Sequence, residues 1–317
     1  MPTRSPVETL RFLAAPTDVL FDGEDIVNGG RILEWIDKAA YAVAAGWSGH
    51  YCVTAYVGHV SFRHGIPSGH LVEVEARIVY TGRTSMHIHC TVRNSDPKTL
   101  HWTEATNCLV IFVATDGQGH SVPVHEFDPI TAKERAHAKG AVGRAGIRRE
   151  IEEQMAEQVY TDAGTAPKVV TRFLAQPTDV NWGGKVHGGT AMEWIDQAAW
   201  LCASRWSGMT PTVVYSGGVR FYRPIHIGHV VELEARLLRT NRKTMDISVH
   251  VRSGDPRSDQ RDLTTHCAIT YGVRGSDGRL VDIPQWQPVS DEDRALAEHA
   301  HQLRKIRGRR VPGLATG

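Results

Sequence analysis

The strongest constraint on the fold is that the chain repeats itself. The phrase GGRILEWID at residues 29–37 returns as GGTAMEWID at residues 188–196. The match continues upstream, where RFLAAPTDV at residues 11–19 returns as RFLAQPTDV at residues 172–180. Repeats of this size are whole domains, because solenoid repeats have periods of about 20 to 50 residues. The sequence therefore predicts two copies of one domain.

Each copy contains the same order of predicted elements. A strand around TLRFLAA precedes a turn-rich loop and a helix that starts at the glycine pair. This helix is apolar on most faces, as expected of a helix that is buried all round. Four segments that alternate with a period of two then predict strands: VTAYVGHVSF, HLVEVEARIVY, SMHIHCTVRN and ATNCLVIFVA. We expect an α+β fold in which an antiparallel sheet wraps around one long central helix.

A charged helix is predicted after each sheet, and it helps to place the domain boundaries. The two segments are DPITAKERAHAKG and PVSDEDRALAEHAHQLRKIR, with Asp128 and Ser290 near their starts, where helix caps belong. The stretch TDAGTAPK has the composition of a linker. We therefore predict an N-terminal domain at 1–160, a linker at 161–168, and a C-terminal domain with a basic tail at 169–317.

Composition excludes several classes of function. The net charge of +1 gives no global basic field for nucleic acid. No apolar run approaches the ~20 residues of a membrane helix, and the N-terminus lacks the apolar core of a signal peptide, so we predict a cytoplasmic protein. The chain has five cysteines, an odd number, and no C-x-x-C motif. We therefore expect the cysteines to be small buried hydrophobic residues, and not disulfide partners or zinc ligands. No metal site is predicted.

The loop, the helix and two later strands together resemble the acyl-CoA thioesterase branch of the hotdog superfamily. The most specific segments are PTDVNWGGKVHGGTAMEWID, FYRPIHIGH and TNRKTM, at residues 177–196, 221–229 and 240–245. The tandem arrangement is similar to the cytosolic two-hotdog acyl-CoA hydrolases, and to a fusion of two single-hotdog bacterial enzymes. The resemblance implies two hotdog domains that form a pseudo-dimer within one chain and hydrolyse acyl-CoA. It implies no cofactor, because coenzyme A is part of the substrate, and it implies a homo-oligomer such as a trimer of double hotdogs.

The resemblance also implies sites between the halves, and the two halves are unequal there. Each site would take an asparagine from the loop of one half and an aspartate from the helix of the other. Asn181 falls on the family's asparagine, but Leu20 stands at that place in the longer first loop. Both helices keep the aspartate, as Asp37 and Asp196. Cross-half pairing predicts one complete site, Asn181 with Asp37, while pairing within one half would join Asn181 to Asp196.

Thioester hydrolysis gives these residue types specific tasks. A carboxylate acts as general base, or as nucleophile through an anhydride, and the sequence does not choose between the two. A helix N-terminus has free N–H groups, and glycines let the backbone approach a ligand closely. Gly188 and Gly189, beside Asn181, are therefore the predicted donors to the developing oxyanion. His187 directly precedes them, where it would cap the helix or approach the ligand; Asn28 stands opposite it in the first half.

Coenzyme A also carries phosphates, which require cations. In the family the turn that resembles TNRKTM contributes them. The candidates for binding coenzyme A are Arg83, Arg242, Lys243, Arg223 and His187.

Two other functions remain open at the level of sequence. A hotdog enoyl-CoA hydratase or dehydratase would use an aspartate and a histidine, and DVNWGGKVH offers both; however, the histidine lies too far along the segment. A non-catalytic acyl-CoA-binding protein is the second alternative, since the loss of one asparagine indicates that the fold tolerates a lost site. Acyl chain length, and whether the thiol carrier is coenzyme A or acyl carrier protein, cannot be read from the sequence.

Overall fold

The two halves of the chain fold in the same way. The computed structural model describes residues 4–19, 25–58, 60–181 and 183–308. The first half consists of β1 (Val7–Leu13), α1 (Gly29–Ser48), β2 (Tyr51–Val57), β3 (Val60–Ser61), β4 (Leu71–Thr81), β5 (Ser85–Ser95), β6 (Thr103–Thr115), α2 (Ala132–Gly143) and α3 (Ala145–Ala156). The second half consists of β7 (Lys168–Leu174), α4 (Gly188–Ser207), β8 (Pro211–Ser216), β9 (Val219–Phe221), β10 (Val230–Asn241), β11 (Thr244–Gly254), β12 (Asp262–Val273) and α5 (Asp291–Arg307).

All strands belong to one sheet that runs through both halves. The strand order is β1-β4-β5-β6-β2-β9-β12-β11-β10-β7, with β8 paired to β12 and to β3. Neighbouring strands are antiparallel, and the halves meet where Tyr56 of β2 lies opposite Arg220 of β9. The predicted α+β architecture is confirmed: two copies of an antiparallel sheet, each around one long helix, form a pseudo-dimer within the chain.

The two long helices contact each other at their glycine pairs. A Cβ on Gly30 would lie 2.7 Å from the Cα of Glu193, and one on Gly189 would lie 2.7 Å from the Cα of Glu34. Glycine is required at both positions, because any side chain would push the helices apart. This contact places the N-terminus of each helix beside the middle of the other helix.

The structure differs from the sequence-based prediction in three elements. The predicted strand VTAYVGHVSF divides into β2 and β3 at Gly58, where a Cβ would lie 2.7 Å from the Leu109 carbonyl oxygen. The cap of α2 is Thr131, whose hydroxyl accepts the Glu134 N–H at 3.2 Å, and not Asp128. The prediction lacked α3, which packs against α5 through Ile151. Ser290 caps α5 as expected.

The five cysteines are buried within the folded domains, and the segment between the two halves is bonded to α5. All five cysteines are buried and free, and burial raises the pKa of Cys52 to about 11. The Thr161 N–H donates to Glu292 at 2.9 Å, and the Thr165 hydroxyl donates to Asp293 at 2.6 Å, so this segment is held against α5. The domain boundaries themselves stay a prediction. Within the described ranges, no helix is long and apolar enough to cross a membrane.

Candidate active site

Asp37 of α1 is a buried acid held by donors from both halves of the chain. The residue is 1% exposed. The Thr54 hydroxyl of β2 donates to Oδ1 at 2.6 Å, and the Gly189 N–H at the start of α4 donates to Oδ2 at 2.9 Å. The structure therefore joins the acid of the first half to the helix N-terminus of the second half, which is the cross-half arrangement.

His187 is the third polar group at this carboxylate. It is the N-cap of α4, and its Nδ1 lies 2.9 Å from Asp37 Oδ2. The Gly189 N–H points at this nitrogen as well, at 3.2 Å. Nδ1 accepts the Gly189 N–H only without a proton and donates to Asp37 only with one, so these two contacts are alternatives; the shorter approach to Asp37 favours the proton on Nδ1. His187 thus acts on the acid directly.

Asp37 lines a cavity to which both halves of the chain contribute. This cavity has a volume of about 1070 Å³. It is lined by α1, β2 and β6 of the first half and by the 181–188 loop and residues 221–225 of the second half. Asp37, Thr54, His187 and Gly188 all contribute to the wall. A cavity of this size, with converging polar groups at one point, is typical of a small-molecule site.

Asn181 lines the same cavity, but its side chain is engaged within its own loop. Its Oδ1 accepts the Gly183 N–H at 2.9 Å and the Lys185 N–H at 3.1 Å, and its Nδ2 donates to the Val186 carbonyl at 3.3 Å. An amide nitrogen carries two hydrogens, so one remains for another acceptor. Asn181 therefore shapes the loop that presents Gly188, besides any contact with a ligand.

The predicted cations lie in two different places. Arg223 lines the cavity and forms an ion pair with Asp262. Of the described residues, Arg83, Arg242 and Lys243 are outside the cavity lining, at the turns between β4 and β5 and between β10 and β11. Arg242 pairs with Asp282 at 2.9 Å, and the Lys243 amino group donates to a backbone carbonyl.

Asp196 of α4 is the counterpart of Asp37 and has different partners. Its Oδ2 accepts the Gly30 N–H at 3.0 Å, and its Oδ1 accepts the hydroxyl of Tyr271 on β12. Burial raises the pKa of Asp196, while the Tyr271 and Gly30 hydrogen bonds lower it. Burial also raises the pKa of Tyr271 well above its usual value. Leu20, predicted to replace the loop asparagine at this second site, lies outside the described residues.

Sequence reasoning missed the two hydroxyl donors, although the repeat contained a signal. When the copies are aligned at the glycine pairs, Thr54 stands opposite Val213, and Phe112 stands opposite Tyr271. The hydroxyl that holds each acid therefore comes from a different strand in the two halves. A comparison of all aligned positions, beyond the loop and helix, would have shown this exchange.

Comparison with known proteins identifies the family. A model described as "Thioesterase superfamily" matches residues 24–101 and 183–259, once in each half. Protein VdlD of Helicobacter pylori is 31% identical over 139 residues, which cover 44% of this chain and 78% of that protein. The chain belongs to the thioesterase superfamily. Each of the two matches to the family model contains one long helix and its aspartate.

Other relatives align with most of the chain. Acyl-coenzyme A thioesterase 11 of Mus musculus is 25% identical over 320 residues, covering 96% of this chain and 53% of that protein. The cytosolic acyl coenzyme A thioester hydrolase of Homo sapiens is 24% identical over 291 residues, covering 86% of this chain and 76% of that protein. The chain thus spans about half the length of the mouse protein.

A solved structure shows the same fold. A Lactobacillus plantarum protein described as an oleoyl thioesterase superposes with a TM-score of 0.57 and 10% identity, covering 84% of this chain and 96% of that chain. At this identity the likeness concerns the fold alone.

Proposed function

We propose that the chain is an acyl-CoA hydrolase with one catalytic site, at Asp37, between its two halves. The observation that carries this proposal is the hydrogen bond from the Gly189 N–H to Asp37 at the wall of the cavity that both halves line. It brings an acid, a helix N-terminus and room for a substrate together at one point. The named relatives support the substrate class, because they are thioesterases of acyl-coenzyme A.

The reaction follows from the donors around Asp37. As general base, Asp37 takes a proton from water while the water oxygen adds to the thioester carbonyl. The carbon–sulfur bond then breaks, and the proton passes to the coenzyme A thiolate. In the nucleophilic alternative, Asp37 attacks the carbonyl and expels the coenzyme A thiolate, and water then cleaves the resulting anhydride and gives a proton to the thiolate. A single turnover in ¹⁸O-water detects this route when water attacks the aspartyl carbon, since label is then placed in Asp37.

The donors predicted for the oxyanion have separate tasks in this proposal. The Gly189 N–H is used on Asp37, so it orients the acid. Gly188 is the first residue of α4 and lines the cavity, and an N–H at that position has no partner within its helix. We assign the oxyanion to the Gly188 N–H together with the remaining Nδ2 hydrogen of Asn181. A Cβ on Gly188 would lie 2.9 Å from the Thr54 hydroxyl, so glycine is needed here.

Asp196 has a structural task in the same proposal. The Tyr271 hydroxyl and the Gly30 N–H hold its two oxygens, and it sits at the point where α1 meets α4. Val213 stands where Thr54 stands at the first site. The second acid therefore ties the N-terminus of α1 to α4 and β12, and hydrolysis takes place at the first site.

Matched substitutions of the two acids test this proposal. Asp37→Asn keeps the size of the side chain and removes the base, so kcat should fall by ~10² to 10⁴. Asp196→Asn should retain most of the kcat of the wild type and lower the thermal stability instead. Thiol release is measured on acyl-CoAs of several lengths, and crotonyl-CoA hydration is assayed in parallel.

Control measurements show which part of the proposal is wrong if the expected results are not obtained. Circular dichroism must show that both variants are folded. Loss of activity in Asp196→Asn, with Asp37→Asn still active, would reverse the assignment of the two sites. Hydration of crotonyl-CoA without thiol release would replace hydrolysis by the hydratase alternative, and tight binding of acyl-CoA without turnover would indicate a binding protein.

The remaining properties of the proposed enzyme are its location, its carrier and its assembly. We propose a cytoplasmic location, which the human cytosolic relative supports. The proposed substrate is acyl-CoA, and the mechanism requires neither cofactor nor metal. A homo-oligomer, such as a trimer, stays a prediction for sedimentation analysis.

A further inference from the structure

The lining of the cavity at Asp37 falls into two parts, one along α1 and one from the second half of the chain, which we call its two branches. One branch follows α1, where Asp37, Tyr41, Ala45 and Gly49 recur every four residues and so share one helix face. The other branch follows the second half, along Lys185 and residues 221–225. A thioester that reacts at Asp37 must place its acyl chain in one branch and its coenzyme A in the other.

Charge decides which part of the substrate enters which branch. The branch along the second half carries Lys185, and it carries Arg223 in its ion pair with Asp262. The branch along α1 also includes Asp116, whose pKa is lowered by hydrogen bonds, the largest from the His120 backbone. The phosphates of coenzyme A are attracted to the basic residues of the second-half branch and repelled by Asp116 in the α1 branch. The acyl chain is left with the branch along α1.

The walls of the α1 branch suit an alkyl chain. The Tyr41 ring lies 6.4 Å from the Phe112 ring and 6.2 Å from the Tyr51 ring, measured between centroids. Cys52 and Val53 of β2 also line this branch, together with the polar residues His50 and Thr115. Aromatic and aliphatic walls favour an apolar chain, since each buried methylene contributes about 0.8 kcal/mol.

The length of the branch along α1, and the small side chains that line it, set the length of the acyl chain that it can hold. Twelve residues separate Asp37 from Gly49 along α1, which corresponds to about 18 Å at 1.5 Å per residue. Beyond Tyr41 the helix presents only alanine and glycine to the cavity, at Ala45 and Gly49. An extended acyl chain of about 12 to 14 carbons spans this distance.

The second half fills the corresponding positions with larger side chains. Trp200 stands where Tyr41 stands, and its Nε1 donates to the Pro211 carbonyl at 3.0 Å. Tyr271 stands where Phe112 stands and turns its hydroxyl to Asp196. The groove is therefore a property of the first half, beside the proposed catalytic acid.

We propose that the substrates are thioesters of medium- and long-chain fatty acids, and that the groove along α1 from Asp37 to Gly49 holds the acyl chain. This inference rests on the proposed hydrolase function. It makes Ala45 the residue that determines chain length, because a larger side chain there would close the groove about two-thirds of the way from Asp37 to Gly49.

A chain-length series on wild-type protein and one substitution test the inference. Thiol release is measured with butanoyl-, octanoyl-, dodecanoyl- and hexadecanoyl-CoA. For the wild type, kcat/KM should rise at least ~10-fold from butanoyl- to dodecanoyl-CoA. Ala45→Phe should lower kcat/KM for dodecanoyl-CoA by ~10-fold or more and leave butanoyl-CoA within about twofold. Ser204→Phe, at the aligned position of α4, is the matched control and should change neither value.

Each result bears on the inference separately from the hydrolase function. A wild type that hydrolyses butanoyl-CoA as well as dodecanoyl-CoA would overturn it, and so would an Ala45→Phe variant that slows both substrates equally. If Ala45→Phe does not fold, the smaller Ala45→Leu takes its place. If no acyl-CoA is hydrolysed, the proposed function fails, and calorimetry still tests the groove by whether dodecanoyl-CoA binds more tightly than butanoyl-CoA.

Discussion

The two buried aspartates differ in the side chain that donates to them. Asp37 receives the Thr54 hydroxyl at 2.6 Å, and Asp196 receives the Tyr271 hydroxyl. In the first half, Thr54 of β2 supplies the hydroxyl, and Phe112 opposite it is apolar and lines the cavity with Asp37. In the second half, the larger Tyr271 of β12 supplies the hydroxyl instead. Both acids are buried, and Asp37 but not Asp196 belongs to the lining of the cavity.

Thr54→Val removes the hydroxyl from Asp37 and keeps the shape of the side chain. A hydrogen bond to a charged group contributes about 1.5–3 kcal/mol, so we expect kcat to fall by ~10- to 100-fold with little change in KM. Steady-state kinetics on dodecanoyl-CoA measure this. Val213→Thr, at the aligned position of the second half, serves as control and should leave kcat unchanged. An unchanged kcat in Thr54→Val would show that this hydroxyl does not position the acid.

The sequence predicted part of this site and could not predict the rest. The motif before α4 led to His187 and Gly188, which the structure brings to Asp37 and its cavity. It did not predict Thr54, because a threonine in an alternating strand carries no signal until the strand is placed against the helix. The hydrogen bonds of Asn181 within its loop depend on the path of the loop backbone, which the sequence alone does not show.

At the scale of elements, the glycine pairs fix how α1 and α4 meet. Each second glycine lies against the backbone of the other helix at Glu34 or Glu193. Arg31 pairs with Glu34 and lies 3.5 Å from Glu193, so it offsets the repulsion between the two acids at the crossing. The close approach and the charges together set the position of each helix N-terminus relative to the opposite aspartate.

Gly189→Ala and Gly46→Ala test this packing. Alanine at 189 would meet the Glu34 backbone at 2.7 Å, so we expect a loss of stability of at least ~1–3 kcal/mol and a loss of activity. A Cβ on Gly46 of α1 would meet no described atom beyond its own stretch of helix within 4 Å, so alanine there should stabilise the helix by up to ~1 kcal/mol. Urea unfolding monitored by circular dichroism measures both values. Equal effects of the two substitutions would show that the helix crossing is not tight.

Elements with strong local patterns were predicted, and those that depend on distant partners were not. The helix at each glycine pair and the long alternating strands are confirmed. The missing α3 has its apolar residues Ile147, Ile151 and Met155 in a narrow stripe, and the stripe is buried by α5 from the far end of the chain. Nothing in the local sequence indicates that partner.

At the scale of the whole molecule, α5 closes a group of buried histidines on the second half of the sheet. The rings of His250 on β11 and His266 on β12 stack with centroids 3.9 Å apart, and His299 of α5 is buried as well. Burial is the main cause that lowers the pKa of His266 to about 3 and of His299 to about 4, and Arg307 lowers both further. The folded protein therefore holds these rings neutral.

The histidines predict a loss of stability in mild acid. Unfolded histidine has a pKa near 6.5, so the unfolded chain binds more protons than the folded chain between about pH 6.5 and pH 3. Their contribution to stability is complete above about pH 6.5 and is lost as the pH falls through that window. Urea unfolding at pH 7.5 and 5.0 should show this loss, on the order of 1 kcal/mol per histidine. His299→Leu should lose less between the two pH values, and an equal loss would show that His299 does not contribute.

The fusion of both halves into one continuous sheet has an evolutionary consequence. In a homodimer of single domains, every mutation appears twice, and a change that harms one site harms its symmetry mate. Here the two copies are separate stretches of one gene product, joined at β2 and β9. The exchange of Thr54 for valine and of Phe112 for tyrosine in the second copy could therefore be inherited without touching the first. In the proposed function, the second copy then contributes the Gly189 N–H to Asp37 and not a second catalytic acid.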